Sequence, residues 1–181
     1  MKRRTADPLG SLLILLAVPC VLPIPGIGNV MGLGMMALGW AIWHGQSAAQ
    51  QPGHTRTLRL SGQRRRQIRR WIVRVHRLAS PWCRPRLEGL VSLAPRSWRA
   101  ATAAILVATM GALIFLPIPL GNLLPAASVT CLGLGLSHRD GVWALWSTLL
   151  AVLALAYTAA LAAGAWAWVL APVARWLGLS A

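Results

Sequence analysis

The chain has 181 residues, 56% of them hydrophobic and only 12% charged, against a charged share of about 25% in an ordinary soluble domain. Eighteen Lys and Arg face three acids, Asp7, Glu88 and Asp140, for a net charge of +15, so most arginines have no carboxylate partner within the chain. This balance argues against a soluble enzyme built on paired carboxylates; it asks for an apolar solvent and for an anionic surface.

The N-terminus, Met1-Lys2-Arg3-Arg4 before the apolar run 9–22, has the outline of a secretory signal. Pro19 before Cys20 spoils a lipoprotein-type cleavage box, and the same run takes part in a repeat, so it is expected to stay in the chain. The run leads through Pro23-Ile24-Pro25-Gly26-Ile27-Gly28-Asn29 into a second apolar arm that ends near Trp43. Proline removes a backbone donor and favours an extended residue before it, so the first helix must break here. Asn29 is placed to cap the returning helix. Region 9–43 is thus predicted to be a helical hairpin.

Residues 44–99 carry 13 arginines from Arg56 onward and one acid. The positive-inside rule puts this segment and Lys2-Arg3-Arg4 in the cytoplasm, with Trp40, Trp43 and Trp98 as interfacial anchors. Within it, Ile68, Trp71, Ile72, Val75, Leu78 and Ala79 share one helical arc, while Arg66, Arg69, Arg70, Arg74 and Arg77 take the other. That pattern suits a helix lying among anionic lipid headgroups, each basic residue contributing about 1 kcal/mol. The plainer reading is a solvated run that only fixes topology. Nucleic acid is not expected as a partner, because no RNA-binding motif accompanies the charge.

Region 100–136 repeats the first hairpin. Its arms meet through Pro117-Ile118-Pro119-Leu120-Gly121-Asn122, which copies the first connector with one residue fewer, and Asn122 takes the place of Asn29. Arms of 14 to 17 residues rise only about 21 to 25 Å, short of about 30 Å of hydrocarbon, so the hairpins are either re-entrant or thin spans. Either way the chain returns to its starting side. Gly28, Gly32, Gly34, Gly39, Gly133 and Gly135 supply small residues for close packing of the arms or for a homodimer contact.

His138-Arg139-Asp140-Gly141 joins the second hairpin to the final stretch, 142–171, which is long enough to cross a bilayer. Trp143 and Trp146 stand at one end and Trp166 and Trp168 at the other, as two interfacial belts would. Asp140 suits an N-cap; the competing role for His138, Arg139 and Asp140 is a proton-handling or phosphate-binding trio. The fold class expected is therefore an all-α integral membrane protein with one membrane domain over 1–181, set in an inner membrane. Two short repeated hairpins, a cytoplasmic basic helix and one long C-terminal transmembrane helix make it up.

Paired helix ends at similar depth could hold an anionic headgroup, which makes Pro25, Gly28 and Asn29 with Pro119, Gly121 and Asn122 candidates for a substrate site. The competing reading is that a short membrane hairpin simply needs Pro, Gly and a cap. Cys20, Cys83 and Cys131 lie far apart and suggest neither a disulfide framework nor a metal site, and no cofactor is expected.

The run LPIPLGNLLPA from Leu116 to Ala126, followed by a short apolar helix and Arg139-Asp140-Gly141, resembles the ExoD family of bacterial exopolysaccharide-synthesis membrane proteins. LPIPGIGN, the arginine-rich middle and the long last helix follow the same layout, although His138 stands where an acidic residue would be expected. The resemblance implies a role in making or exporting exopolysaccharide beside its machinery; it carries over no catalytic residue. The leading expectation is a non-enzymatic membrane protein supporting that process. The alternatives are a transporter or flippase using the connector tips, and an enzyme acting on a prenyl-phosphate through His138, Arg139 and Asp140.

Overall fold

The computed structural model describes residues 8–21, 26–45, 70, 73–74, 81, 83, 88–91, 97–116 and 121–176, all helical or in turns and short connections, with no strand among them. Helix α1 (Pro8–Ala17) begins on a proline, whose missing N–H costs nothing in a first turn. Pro19 then removes a donor, and the chain tightens into a 3-10 turn over Val18–Val21. Helix α2 (Ile27–Trp43) follows Gly26 at φ 87°, a left-handed conformation that glycine takes freely, and ends before Gly45 at φ 68°.

After a single turn, α3 (Glu88–Val91), comes α4 (Trp98–Phe115), which opens on a side-chain cap: the Ala100 N–H donates to Ser97 Oγ at 3.1 Å. It stops at Leu116, extended at ψ 129°, as the residue before Pro117 should be. Helix α5 (Leu123–His138) ends on Arg139 in the left-handed region at φ 55°. Helix α6 (Gly141–Trp176) is 36 residues long.

The arms of each repeat pack mainly on the other repeat rather than on each other. Helix α2 runs along α4, α1 runs along α5, and α5 runs along α6. All three pairs are antiparallel: Gly28 lies at Ile114 and Gly39 at Ala104, Gly10 lies at Ser137 and Ile14 at Gly133, and Gly135 lies at Ala144 while Ser128 meets Ser147. Because α1 corresponds to α4 and α2 to α5 in the repeat, the α1–α5 and α2–α4 contacts are equivalent interfaces. The arms expected to form two hairpins thus pair mainly across the two stretches, α1 with α5 and α2 with α4, rather than within each.

Glycine makes the exchange feasible. A Cβ on Gly32 would stand 2.6 Å from the Gly111 carbonyl oxygen, and one on Gly133 would stand 2.8 Å from that of Gly10. Where lipid surrounds the helices, association rests on such backbone approach and on dispersion rather than on water release. The enclosed layer is Leu13, Ile14, Met35, Val107, Met110, Ile114, Ala126 and Val129, each at 1% exposure or less.

The outward surface is apolar. Val30, Leu33, Ile105, Leu123, Leu145, Leu149, Val152 and Leu153 are all exposed. Helices Trp98–Phe115 and Gly141–Trp168 are each long and apolar enough to cross a bilayer. Among the described side chains of α6, Ala154 is the last that is buried, and those from Leu155 to Trp168 are exposed apart from half-buried Thr158.

Candidate functional site

The chain directions bring the N-terminus of α1, the C-terminus of α2, the N-terminus of α4 and the α5–α6 corner to one end of the bundle. That end holds His44, Arg99, His138, Arg139 and Asp140, and it is where the arginine-rich segment leaves and re-enters. At the opposite end the described connector residues Gly26, Gly28, Leu116, Gly121 and Asn122 are all uncharged. Exposed Trp40, Trp43 and Trp98 rim the charged end; His44 stacks on Trp40 with ring centroids 4.4 Å apart, and the Arg99 guanidinium lies 5.4 Å over Trp98.

Of the basic surface helix, Arg70 and Arg74 are described, both helical and exposed, with Val73 exposed beside them. Arg66, Arg69, Trp71 and Arg77 lie outside the described residues, as do Pro25 and Pro119.

At the α5–α6 corner the structural role expected of Asp140 is realised. The residue is 2% exposed, and Val142 N–H donates to its Oδ1 at 3.1 Å, capping the 36-residue helix at the end where a carboxylate is favoured. Burial lowers the pKa of His138, while the Asp140 carboxylate opposes that shift. Cys83 arrives from the arginine-rich segment. Burial, and then the charge of Asp140, push its thiol up to about 11, against a hydrogen bond from Trp143 that pulls it down. A thiol so placed is protonated near neutral pH, the reverse of an activated nucleophile. Nothing in the sequence announces this contact, because 60 positions separate Cys83 from Trp143. Among the described residues no group of three His, Cys, Asp or Glu could hold a metal.

The connectors meet unequally. Asn122 reaches across to the other repeat, and a Cβ on Gly28 would lie 2.8 Å from its Nδ2. Asn122 occupies the N-cap position of α5 at helical φ −80°, ψ −18°, and its side chain accepts no backbone N–H. Its Oδ1 is buried and unpaired. Asn29 does not cap α2 either: Gly26, at φ 87°, already turns the chain, so Asn29 falls in the first helical turn and points outward. The capping expected of both asparagines is therefore corrected. Gly121 is buried beside Asn122. The unpaired atom is an acceptor, so this junction suits a hydroxyl or water donor better than a phosphate oxygen.

One more polar contact went unread in the sequence. Buried Ser128 Oγ donates to the Ser147 carbonyl at 2.8 Å and lies 3.3 Å from Ser147 Oγ, linking α5 to α6. Two serines in otherwise apolar runs were the available signal.

A family model described as ExoD, exopolysaccharide synthesis, matches residues 1–160. No curated protein and no solved structure matches the chain.

Proposed function

The chain belongs to the ExoD family, and from that premise we propose that it is a non-enzymatic, multi-pass protein of the bacterial inner membrane that supports exopolysaccharide synthesis at the cytoplasmic leaflet. The observation that carries the reading is the segregation of charge. Lys2, Arg3, Arg4 and the 13 arginines of 44–99 all connect to one end of the helical bundle, whose flanks are exposed and apolar. The positive-inside rule turns that end toward the cytoplasm, and anionic headgroups attract its arginines.

The absence of an enzymatic role is supported by the corner residues. Asp140 accepts the Val142 N–H at the start of α6, which is a capping role. A second reading, movement of a lipid-linked saccharide past the connector tips, is favoured by one observation: the buried, unpaired Asn122 Oδ1 would accept a hydroxyl.

Deletion of the gene, with hexose measured in the secreted fraction, tests the reading. Secreted polymer is expected to fall and to recover with the intact chain. Recovery by a chain with Arg66, Arg69, Arg70, Arg74 and Arg77 all changed to Gln would remove the leaflet-docking part.

A further inference from the structure

Arg99 is the second residue of α4, directly after the turn that Ser97 caps. A helix N-terminus carries a partial positive charge, so a guanidinium there is opposed by the helix itself, whereas the carboxylate of Asp140 at the start of α6 is favoured. Arg99 is also half-buried, and its enclosed Nε donates to no acceptor. Among the described residues its guanidinium makes no hydrogen bond or ion pair, and its neighbour is the Trp98 ring, 5.4 Å away. A cation that is partly desolvated, set against a dipole and left without an acceptor is destabilising as it stands. An anion beside it would offset the charge, accept its N–H groups and meet the dipole with the favoured sign. Phosphate is the anion that the planar fork fits, because two of its N–H groups can meet two oxygens of one phosphate.

The surface below this pair distinguishes one kind of phosphate from another. Trp98, Thr102, Ile105, Thr109, Ala112 and Leu116 follow one another at steps of three and four along α4, and none of them is buried. Thr102 Oγ1 donates to the Arg99 carbonyl at 3.0 Å and Thr109 Oγ1 to the Ile105 carbonyl at 2.7 Å, so both threonines turn their hydroxyls onto the helix. The result is an apolar strip about five turns long that starts at the Trp98–Arg99 pair. A free phosphate would use only the head of the strip; a phosphate carried on a hydrocarbon chain uses both parts. Exposed Trp40 and Trp43, at the end of α2 that packs beside the start of α4, mark the same end as the interfacial rim, where headgroups stand if lipid surrounds the bundle.

We propose that Arg99 and Trp98 form the head of a binding site for one lipid-borne phosphate of the cytoplasmic leaflet, its hydrocarbon chain lying along the Thr102–Ile105 face of α4. The site rests on the proposed role at that leaflet and sharpens it. It is a discrete seat for one molecule, separate from the five arginines between Arg66 and Arg77, which act as a diffuse charged surface.

Native mass spectrometry of the full-length chain in an uncharged maltoside detergent tests the site, with phosphatidylglycerol, a prenyl phosphate or inorganic phosphate added in turn. The chain is expected to retain one molecule of a phosphate lipid. Arg99→Gln should weaken retention at least about tenfold at an unchanged thermal midpoint, and Arg99→Lys, which keeps the charge and loses the fork, should fall between the two. The chain with Arg66, Arg69, Arg70, Arg74 and Arg77 changed to Gln should still hold the lipid. Tighter retention of phosphatidylglycerol assigns the seat to bulk bilayer lipid, and tighter retention of the prenyl phosphate assigns it to a lipid-linked intermediate. Equal retention by Arg99→Gln, or displacement of the lipid by inorganic phosphate at equal concentration, would overturn the proposal. So would loss of the lipid in the five-Gln chain alone, which would assign it to the surface helix. If Arg99→Gln binds as the unaltered chain does while gene deletion still lowers secreted polymer, the site fails and the proposed role stands; if deletion leaves secreted polymer unchanged, the role fails whatever the chain binds.

Discussion

Gly32 and Gly111 oppose each other where α2 crosses α4, so that a Cβ on the first would stand 2.6 Å from the carbonyl oxygen of the second, and a Cβ on the second 2.8 Å from that of the first. Both contacts are with backbone, which cannot step aside as a flexible side chain would. The crossing is consequently a sensitive joint between α2 and α4, as is that between α1 and α5, where a Cβ on Gly10 would stand 2.5 Å from the Gly133 carbonyl oxygen.

Gly32→Ala, Gly111→Ala and Gly10→Ala are each expected to lower the thermal midpoint in detergent, by the equivalent of about 1–3 kcal/mol of overpacking. Gly164→Ala, whose added methyl meets nothing within 4 Å, is the control and should leave the midpoint unchanged or slightly raised. Equal effects at Gly32 and Gly164 would contradict the arm exchange.

The Ser128–Ser147 link makes an asymmetric prediction. Ser128→Ala removes the hydroxyl that donates to the Ser147 carbonyl and should cost about 1 kcal/mol. Ser147→Ala leaves that carbonyl in place and should cost less. Denaturation of both variants side by side, in one detergent, reads the difference.

Chemistry at the corner is checked by thiol reactivity. With Cys83 shifted from 9.0 to about 11, its thiolate fraction at pH 8 is roughly a hundredfold below that of an unperturbed thiol, and alkylation should slow accordingly. Asp140→Asn removes the opposing charge and should speed alkylation, and Trp143→Phe, which removes a hydrogen bond to the sulfur, should slow it further. A Cys83 that reacts as fast as a small free thiol would contradict the packing of this segment on α6.

Asn122 distinguishes packing from function. A buried acceptor left unpaired costs about 1–3 kcal/mol, so Asn122→Ala should be neutral or stabilising for the fold. Loss of secreted polymer in that variant at unchanged protein level would show that the connector junction works on a substrate. Unchanged polymer would leave it a packing element.

Much of the helical layout was legible because its punctuation is local. Pro117 fixes the end of α4 one residue earlier, and Asp140 announces the start of α6. The partner exchange was not legible. A repeat says which arms are equivalent, but the contact of α1 with α5 is set by which glycines face each other in space. Asn29 misled for a physical reason: the extra residue in the first connector lets Gly26 open the helix early and carries Asn29 into its first turn. The Cys83–Trp143 contact joins distant stretches, and neither residue type signals the other.

The central claim is that lipid covers the exposed apolar flanks of α2, α4 and α6, and its most direct test is flotation of alkaline-carbonate-washed membranes on a density gradient. The full-length chain is expected to float with the lipid and to need detergent for release. Recovery of the chain as a monodisperse species in the carbonate wash would contradict the claim.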